Sequence, residues 1–161
     1  MADDRSEQIP EPPPPERSAP AKEHTTPEST LRSALLVYAA VNGITGALLL
    51  LFPRFVWDTI GGSADLFSPA YDSTRMAGGA LFALAVGALL VIRAPRGQNT
   101  LVTVMVLEAA LVAVGGFWNL FVDEPPTNLW FEIVLPFGAA AVGAYLAWAR
   151  IKARKILRTD P

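Results

Sequence analysis

TLVTVMVLEAALVAVGGFWNLFV, residues 100 to 122, holds one charged side chain, Glu108, in an otherwise uncharged run. About 20 apolar residues at about 1.5 Å each cross the roughly 30 Å of hydrocarbon in a bilayer, so this run is long enough to span as a helix. Three more runs of this kind flank it: Ser33 to Phe52, Thr74 to Ile92 and Leu129 to Ala149. A helix of a soluble core carries a polar face at helical period, and these four do not. Residues are 52% hydrophobic and 17% charged, and the charges lie almost entirely outside the four runs. The pattern predicts an all-α integral membrane four-helix bundle.

Outward from the spans, the first thirty residues change character. Pro10, Pro12, Pro13, Pro14, Pro15, Pro20 and Pro27 alternate with Glu7, Glu11, Glu16, Glu23 and Glu28. Such a segment cannot bury enough apolar surface to offset its ordering entropy, so residues 1–30 read as a disordered arm. The arm opens Met-Ala-Asp-Asp without a basic region, unlike a cleavable signal. Pro12 to Pro15 offers a short polyproline II surface. The membrane domain is expected over residues 31–150. A basic tail follows over 151–161, with Arg150 to Arg158 continuing the fourth helix, each basic residue worth about 1 kcal/mol near an anionic leaflet.

Composition excludes several chemistries. There is no cysteine, which removes thiol redox chemistry, iron–sulfur ligation and structural disulfides, and the single histidine, His24, lies in the arm. Histidine-ligated haem or zinc has no place in the bundle, so neither a cofactor nor a metal site is expected, and no set of catalytic residues stands out. The net charge is −2, and nucleic acid is not an expected partner.

Orientation follows from the basic residues. Eleven of thirteen lie on one side: Arg5, Arg17, Lys22 and Arg32 before the first span, Arg93 and Arg96 in the second connection, and Arg150, Lys152, Arg154, Lys155 and Arg158 at the end. Only Arg54 and Arg75 lie on the other. The positive-inside rule then makes both termini cytoplasmic. Trp57, Tyr71, Trp118 and Trp130 fall at the outer boundary and Trp148 at the inner one, as an aromatic belt does. In the long outer connection, Phe55, Val56, Trp57 and Ile60 share one side of a short turn of helix that Gly61-Gly62 would stop. This predicts an interfacial helix, and Ser68-Pro69 predicts an N-cap and first position for the second span.

Within the spans, small residues recur at a spacing that lets helices approach: Ala39, Gly43, Ala47; Gly79, Ala83, Gly87; and Ala139, Gly143, Ala147. Because lipid is as apolar as leucine, association must come from such packing and from interhelical hydrogen bonds. Some of these faces suit a second copy or a partner membrane protein, with membrane lipids as the constant neighbours.

Candidate functional residues are the polar ones at membrane depth: Asn42, Arg75, Glu108, Asn119 and Glu132. A charge near the bilayer centre costs roughly 2.5 to 3.5 kcal/mol, so these are expected to face the bundle interior and to pair. Counting along the helices, Arg75 is nearly level with Glu132 and roughly 10 Å from Glu108. The expected pairs are therefore Arg75 with Glu132 near Asn119, and Glu108 with Asn42 deeper in. Such residues either hold the helices in register or line a cavity on the outer side.

The stretch from Phe52-Pro53 through Gly61-Gly62 to Arg75-Met76-Ala77-Gly78-Gly79-Ala80-Leu81-Phe82-Ala83-Leu84-Ala85 resembles small four-helix membrane proteins of the DoxX-like and DUF4345-like kind. The resemblance covers the membrane part and implies a four-helix bundle in a bacterial inner membrane, with Arg75 at the family's charged position and no established activity. The functional expectation is a non-catalytic accessory or binding component. Its alternative is a small transporter or proton-coupled permease built on Glu108 and Arg75.

Overall fold

The computed structural model describes residues 26–60, 69–121 and 129–158, with side chains described except at positions 60, 69–70 and 129–132. The described chain is helical: α1 (Pro27–Leu51), α2 (Pro53–Ile60), α3 (Pro69–Arg93), α4 (Asn99–Phe121), α5 (Leu129–Lys152) and α6 (Arg154–Arg158). Four of these are long and apolar enough to cross a membrane. The surface they present is inside out by soluble standards: Ile44, Leu90, Leu107, Leu111 and Ile151 are all exposed. An apolar exterior on helices of this length is what hydrocarbon solvent requires, and the chain is a four-helix membrane protein.

The first helix starts earlier than the sequence suggested. Thr26, in extended backbone, accepts a hydrogen bond at Oγ1 from the Ser29 amide, and Pro27 takes the first helical position. These are the preferred residue types for a helix start. Helix therefore replaces the last four residues of the expected arm, and Thr30 and Leu31 are buried. Residues 1–25 lie outside the described residues. The second start conforms to expectation, since α3 begins at Pro69. The interfacial helix is also present as α2, tied to α3 by a 3.0 Å hydrogen bond from Trp57 Nε1 to Thr74 Oγ1.

Two intimate helix pairs make the bundle. In the first, α1 and α3 meet backbone to backbone. A methyl group on Gly46 would lie 2.6 Å from the Phe82 amide nitrogen, and one on Gly78 would lie 2.6 Å from the Leu50 nitrogen. In the second, α4 and α5 close on Pro136, which would lie 2.8 Å from a methyl on Gly116, and on Ala109, 3.1 Å from one on Gly143. Pro136 lacks an amide hydrogen and interrupts the ladder of α5, yet its ring fills the space that Gly116 leaves.

The pairs join along α1 and α5 toward the end that carries both Thr26 and Arg158, here called the basic end. Leu31, Leu35, Tyr38, Val91, Val102, Met105 and Leu146 form a continuous buried core there. A tight turn closes α3 onto α4, with Gly97 at φ 73°, a left-handed conformation suited to glycine. The tail does not simply prolong the fourth span. After a turn at Ala153 it continues as α6, whose Leu157 is fully buried in the same core, while Arg154, Lys155 and Arg158 stay exposed. One apolar residue four positions after Ala153 suffices to hold the short helix under the bundle.

Gly46→Ala is expected to cost about 1–3 kcal/mol, because the α1 and α3 backbones must separate to admit the methyl. Gly79→Ala, where nothing lies within 4 Å, should leave stability unchanged or raise it by up to about 1 kcal/mol. Unfolding of the detergent-solubilised protein by SDS titration measures both; equal effects would place the interface elsewhere. In the same assay Leu157→Ala should cost about 2–5 kcal/mol, whereas Arg158→Ala should cost little.

Candidate functional site

The two pairs touch at the basic end and separate beyond it, leaving a cavity of about 340 Å³ at mid-helix. All four long helices line it: Val41, Asn42 and Thr45 from α1, Leu81 from α3, Glu108 and Val112 from α4, and Val134, Gly138 and Val142 from α5. Glu108 sits nine residues into α4, about 14 Å from its start, and so at membrane depth. Tyr38, Asn42 and Thr45 follow one another at intervals of four and three, which sets all three on the face of α1 turned toward α4 and α5.

The carboxyl of Glu108 is half-buried and accepts a 2.8 Å hydrogen bond at Oε2 from the Tyr38 hydroxyl. Tyr38 is itself completely buried and stands where the packed core ends and the cavity begins. Asn42 is buried as well, and its amide donates a 3.2 Å bond to the Tyr38 carbonyl within the same helix. The expected Glu108–Asn42 pair is thus corrected. Both residues line the cavity, but Tyr38 is the group that bridges α1 to α4. A phenol reaches further than a carboxamide, and an asparagine one turn along finds its own helix carbonyl nearer than a partner across the gap. Sequence reading passed over Tyr38 because tyrosine is common in spans. Its position four residues before Asn42, on the one polar face of the first span, was the available signal.

The outer cluster does not gather in the interior as expected. Arg75 is exposed, and its described ion-pair partner is Asp72, 3.7 Å away and one turn earlier on α3. A long cationic side chain near a membrane boundary reaches toward the headgroups, and a carboxylate three residues away on the same helix is the nearer partner. Asn119 is also exposed, on the outward side of α4. The side chain of Glu132 lies outside the described residues, and with it the expected Arg75–Glu132 pairing. Of the five candidates, the structure therefore brings Asn42 and Glu108 to one cavity and leaves Arg75 and Asn119 at the surface.

Chemically, the site combines apolar walls with a small polar patch on one side. Glu108 is the only ionisable residue among the described lining residues, and no basic side chain is among them. Hydrogen bonding by a carboxyl oxygen, an amide and the Thr45 hydroxyl is what the cavity offers to an occupant. Such a pocket, mostly apolar with a few converging polar groups, has the character of a small-molecule site. Compared with protein-family models, curated proteins and solved structures, the chain matches none.

Tyr38→Phe is expected to destabilise the bundle by about 1–2 kcal/mol, since it leaves the Glu108 oxygen without its donor. Glu108→Gln should stay within about 0.5 kcal/mol of the parent protein, because its amide oxygen takes over the phenol's bond. A double-mutant cycle of Tyr38→Phe with Glu108→Leu should show a coupling of about 1 kcal/mol; strictly additive losses would mean that the bond does not tie α1 to α4.

Proposed function

We propose that this membrane protein is a non-catalytic binding component of a bacterial inner membrane, with both termini cytoplasmic, that takes a small amphiphilic molecule from the bilayer into the cavity at Glu108. One observation carries this reading: a cavity of about 340 Å³, apolar on most sides, meets a polar patch of Glu108, Asn42 and Thr45 at membrane depth. Val41 and Val134 line this cavity and are also exposed on the flank of the bundle, so it is reached sideways, at hydrocarbon level. A molecule dissolved in lipid reaches such an opening without crossing the headgroups.

Orientation rests on the eleven-to-two distribution of basic residues. The bacterial setting rests on the DoxX-like resemblance. Binding is favoured over proton-coupled transport because passing a proton across the membrane takes a chain of titratable groups. Among the described residues the titratable neighbour of Glu108 is Tyr38, whose hydroxyl donates to it from the buried core, and Arg75 is not among the described lining residues.

Two measurements test the proposal. Filling the cavity from α5 with Gly138→Leu and Ala139→Leu together should abolish co-purification of any amphiphile that the parent protein carries in stoichiometric amount from membranes, read by mass spectrometry. A Cβ added at Gly138 meets nothing within 4 Å, so the first atom of the new side chain has room. Identical small-molecule profiles for the two proteins would refute the binding role. Because the chain has no cysteine, single cysteines at positions 96 and 123 report topology directly. An impermeant thiol reagent on intact cells should label 123 and spare 96, and the reverse pattern would invert the orientation.

A further inference from the structure

We propose that the cavity selects a lipophilic amine: an alkyl chain fills the apolar part and a primary or secondary amino group meets the free side of the Glu108 carboxyl. This rests on the binding role proposed above and names the ligand class for the same site.

The charge inventory of the pocket makes the argument. Its described lining brings residues from α1, α3, α4 and α5, and Glu108 is the one ionisable group among them. Tyr38, the only other titratable side chain at the site among the described residues, is completely buried with its hydroxyl engaged on Glu108 Oε2. No arginine or lysine is among the described lining residues, and Arg75, the nearest described basic residue by sequence depth on α3, is exposed and paired with Asp72. An amine and a carboxyl share one proton. Whether it sits on Oε1 of Glu108 or on the amine nitrogen, the two groups together carry no net charge, so the pair can exist at membrane depth without an isolated ion. With the proton on the amine, a charge-assisted N–H···O bond forms on the oxygen opposite the one that Tyr38 holds; with it on Oε1, the carboxyl donates an O–H···N bond to the amine.

Other headgroups fare worse for the same reasons. A carboxylate ligand sets two acids against each other with no cation to neutralise either. A phosphate ester brings negative charge to a pocket without a basic residue. An alcohol forms a neutral hydrogen bond to Glu108 or Thr45 and gains nothing from charge. The expected order of affinity is amine first, alcohol second, carboxylate last. Chain length is bounded by the volume: about 340 Å³ admits a medium-length alkyl chain and excludes a two-chain lipid.

The test uses the full-length protein in phosphatidylcholine nanodiscs, with tritiated n-decylamine as the probe and empty nanodiscs as the blank. Saturable decylamine binding is expected, displaced by unlabelled decylamine, at least tenfold less effectively by n-decanol, and not by decanoate. Glu108→Gln should weaken decylamine binding at least tenfold while leaving decanol within twofold, measured with tritiated decanol. Decanoate displacing as well as decanol, or Glu108→Gln retaining decylamine affinity within twofold, would overturn the proposal. The ranking of the three probes on the parent protein needs no variant, so the proposal stays falsifiable if Glu108→Gln fails to fold. The binding role fails separately: if neither decylamine nor decanol binds saturably, or if both bind the cavity-filled Gly138→Leu, Ala139→Leu protein unchanged, the cavity is no binding site. Saturable decanol binding without preference for the amine overturns only the ligand class.

Discussion

Direct backbone contact between α1 and α3 at Gly46 and Gly78 is the constraint from which the rest of the arrangement follows. In hydrocarbon no solvent force pushes apolar helices together, so they associate where close approach multiplies dispersion contacts. Removing both side chains at this crossing lets the two backbones touch. The α4–α5 pair solves the same problem differently, by setting a proline ring into the notch left by Gly116. Each pair is thus tied on its own, on the side away from the termini, before either meets the other. The pairs then join where long side chains fill the gap, at the basic end, and the mid-membrane cavity is the space their divergence leaves.

Tyr38 stands at the fork. Below it, about 10 Å of packed side chains extend to Leu31; above it, α1 and α4 both line the cavity. A phenol suits this position because its ring belongs to the apolar core while its hydroxyl needs a partner, and Glu108 supplies one across the gap. Asn42 spends its donor on the Tyr38 carbonyl, and so shapes the first helix without tying it to the second pair. The polar layer is therefore a single interhelical bond supported from behind. Such a bond in a membrane is worth about 0.6 to 2 kcal/mol, too little to explain the fold but enough to fix the register of one pair on the other.

Much of this was legible in the sequence, and the reasons for the misses are physical. Span length and the absence of charge gave the four long helices, because hydrocarbon thickness leaves little choice. Pro69 correctly opened α3, the Ser68 cap lying outside the described residues, yet the same chemistry at Thr26-Pro27-Glu28 was absorbed into a proline-rich arm, where one more proline carries no contrast. Small-residue spacing correctly named Gly43 and Gly143 as contact points, with Ala85 and Ala109 opposite them. It missed Gly46 and Gly78, because a repeat of four describes a straight stripe while two crossing helices touch over a short patch. For the site, depth placed Asn42 and Glu108 together and separated Arg75 from both, but depth along the membrane normal says nothing about azimuth. Only the rotation of each helix, set by its packing, decides that Arg75 and Asn119 turn outward while Tyr38 turns in.

The same packing closes one direction to Glu108. From the basic end the route is closed by Leu31, Leu35, Met105, Leu146 and Leu157, all essentially without solvent exposure, and by α6, which Leu157 pins against them. Basic residues on α6 and on the α3–α4 turn sit outside this plug and so bear on the surface of the membrane, never on the cavity. From the flank, by contrast, the walls at Val41 and Val134 are exposed and carry no polar group. On that path the proposed amphiphile would exchange lipid for apolar side chains before its headgroup met Glu108. Among the described residues the fold therefore separates two electrostatic regions: a cationic rim at the basic end, and the Glu108 carboxyl in the cavity. Charge at the rim suits contact with headgroups, and the Glu108 carboxyl is the polar group that an occupant of the proposed site would meet.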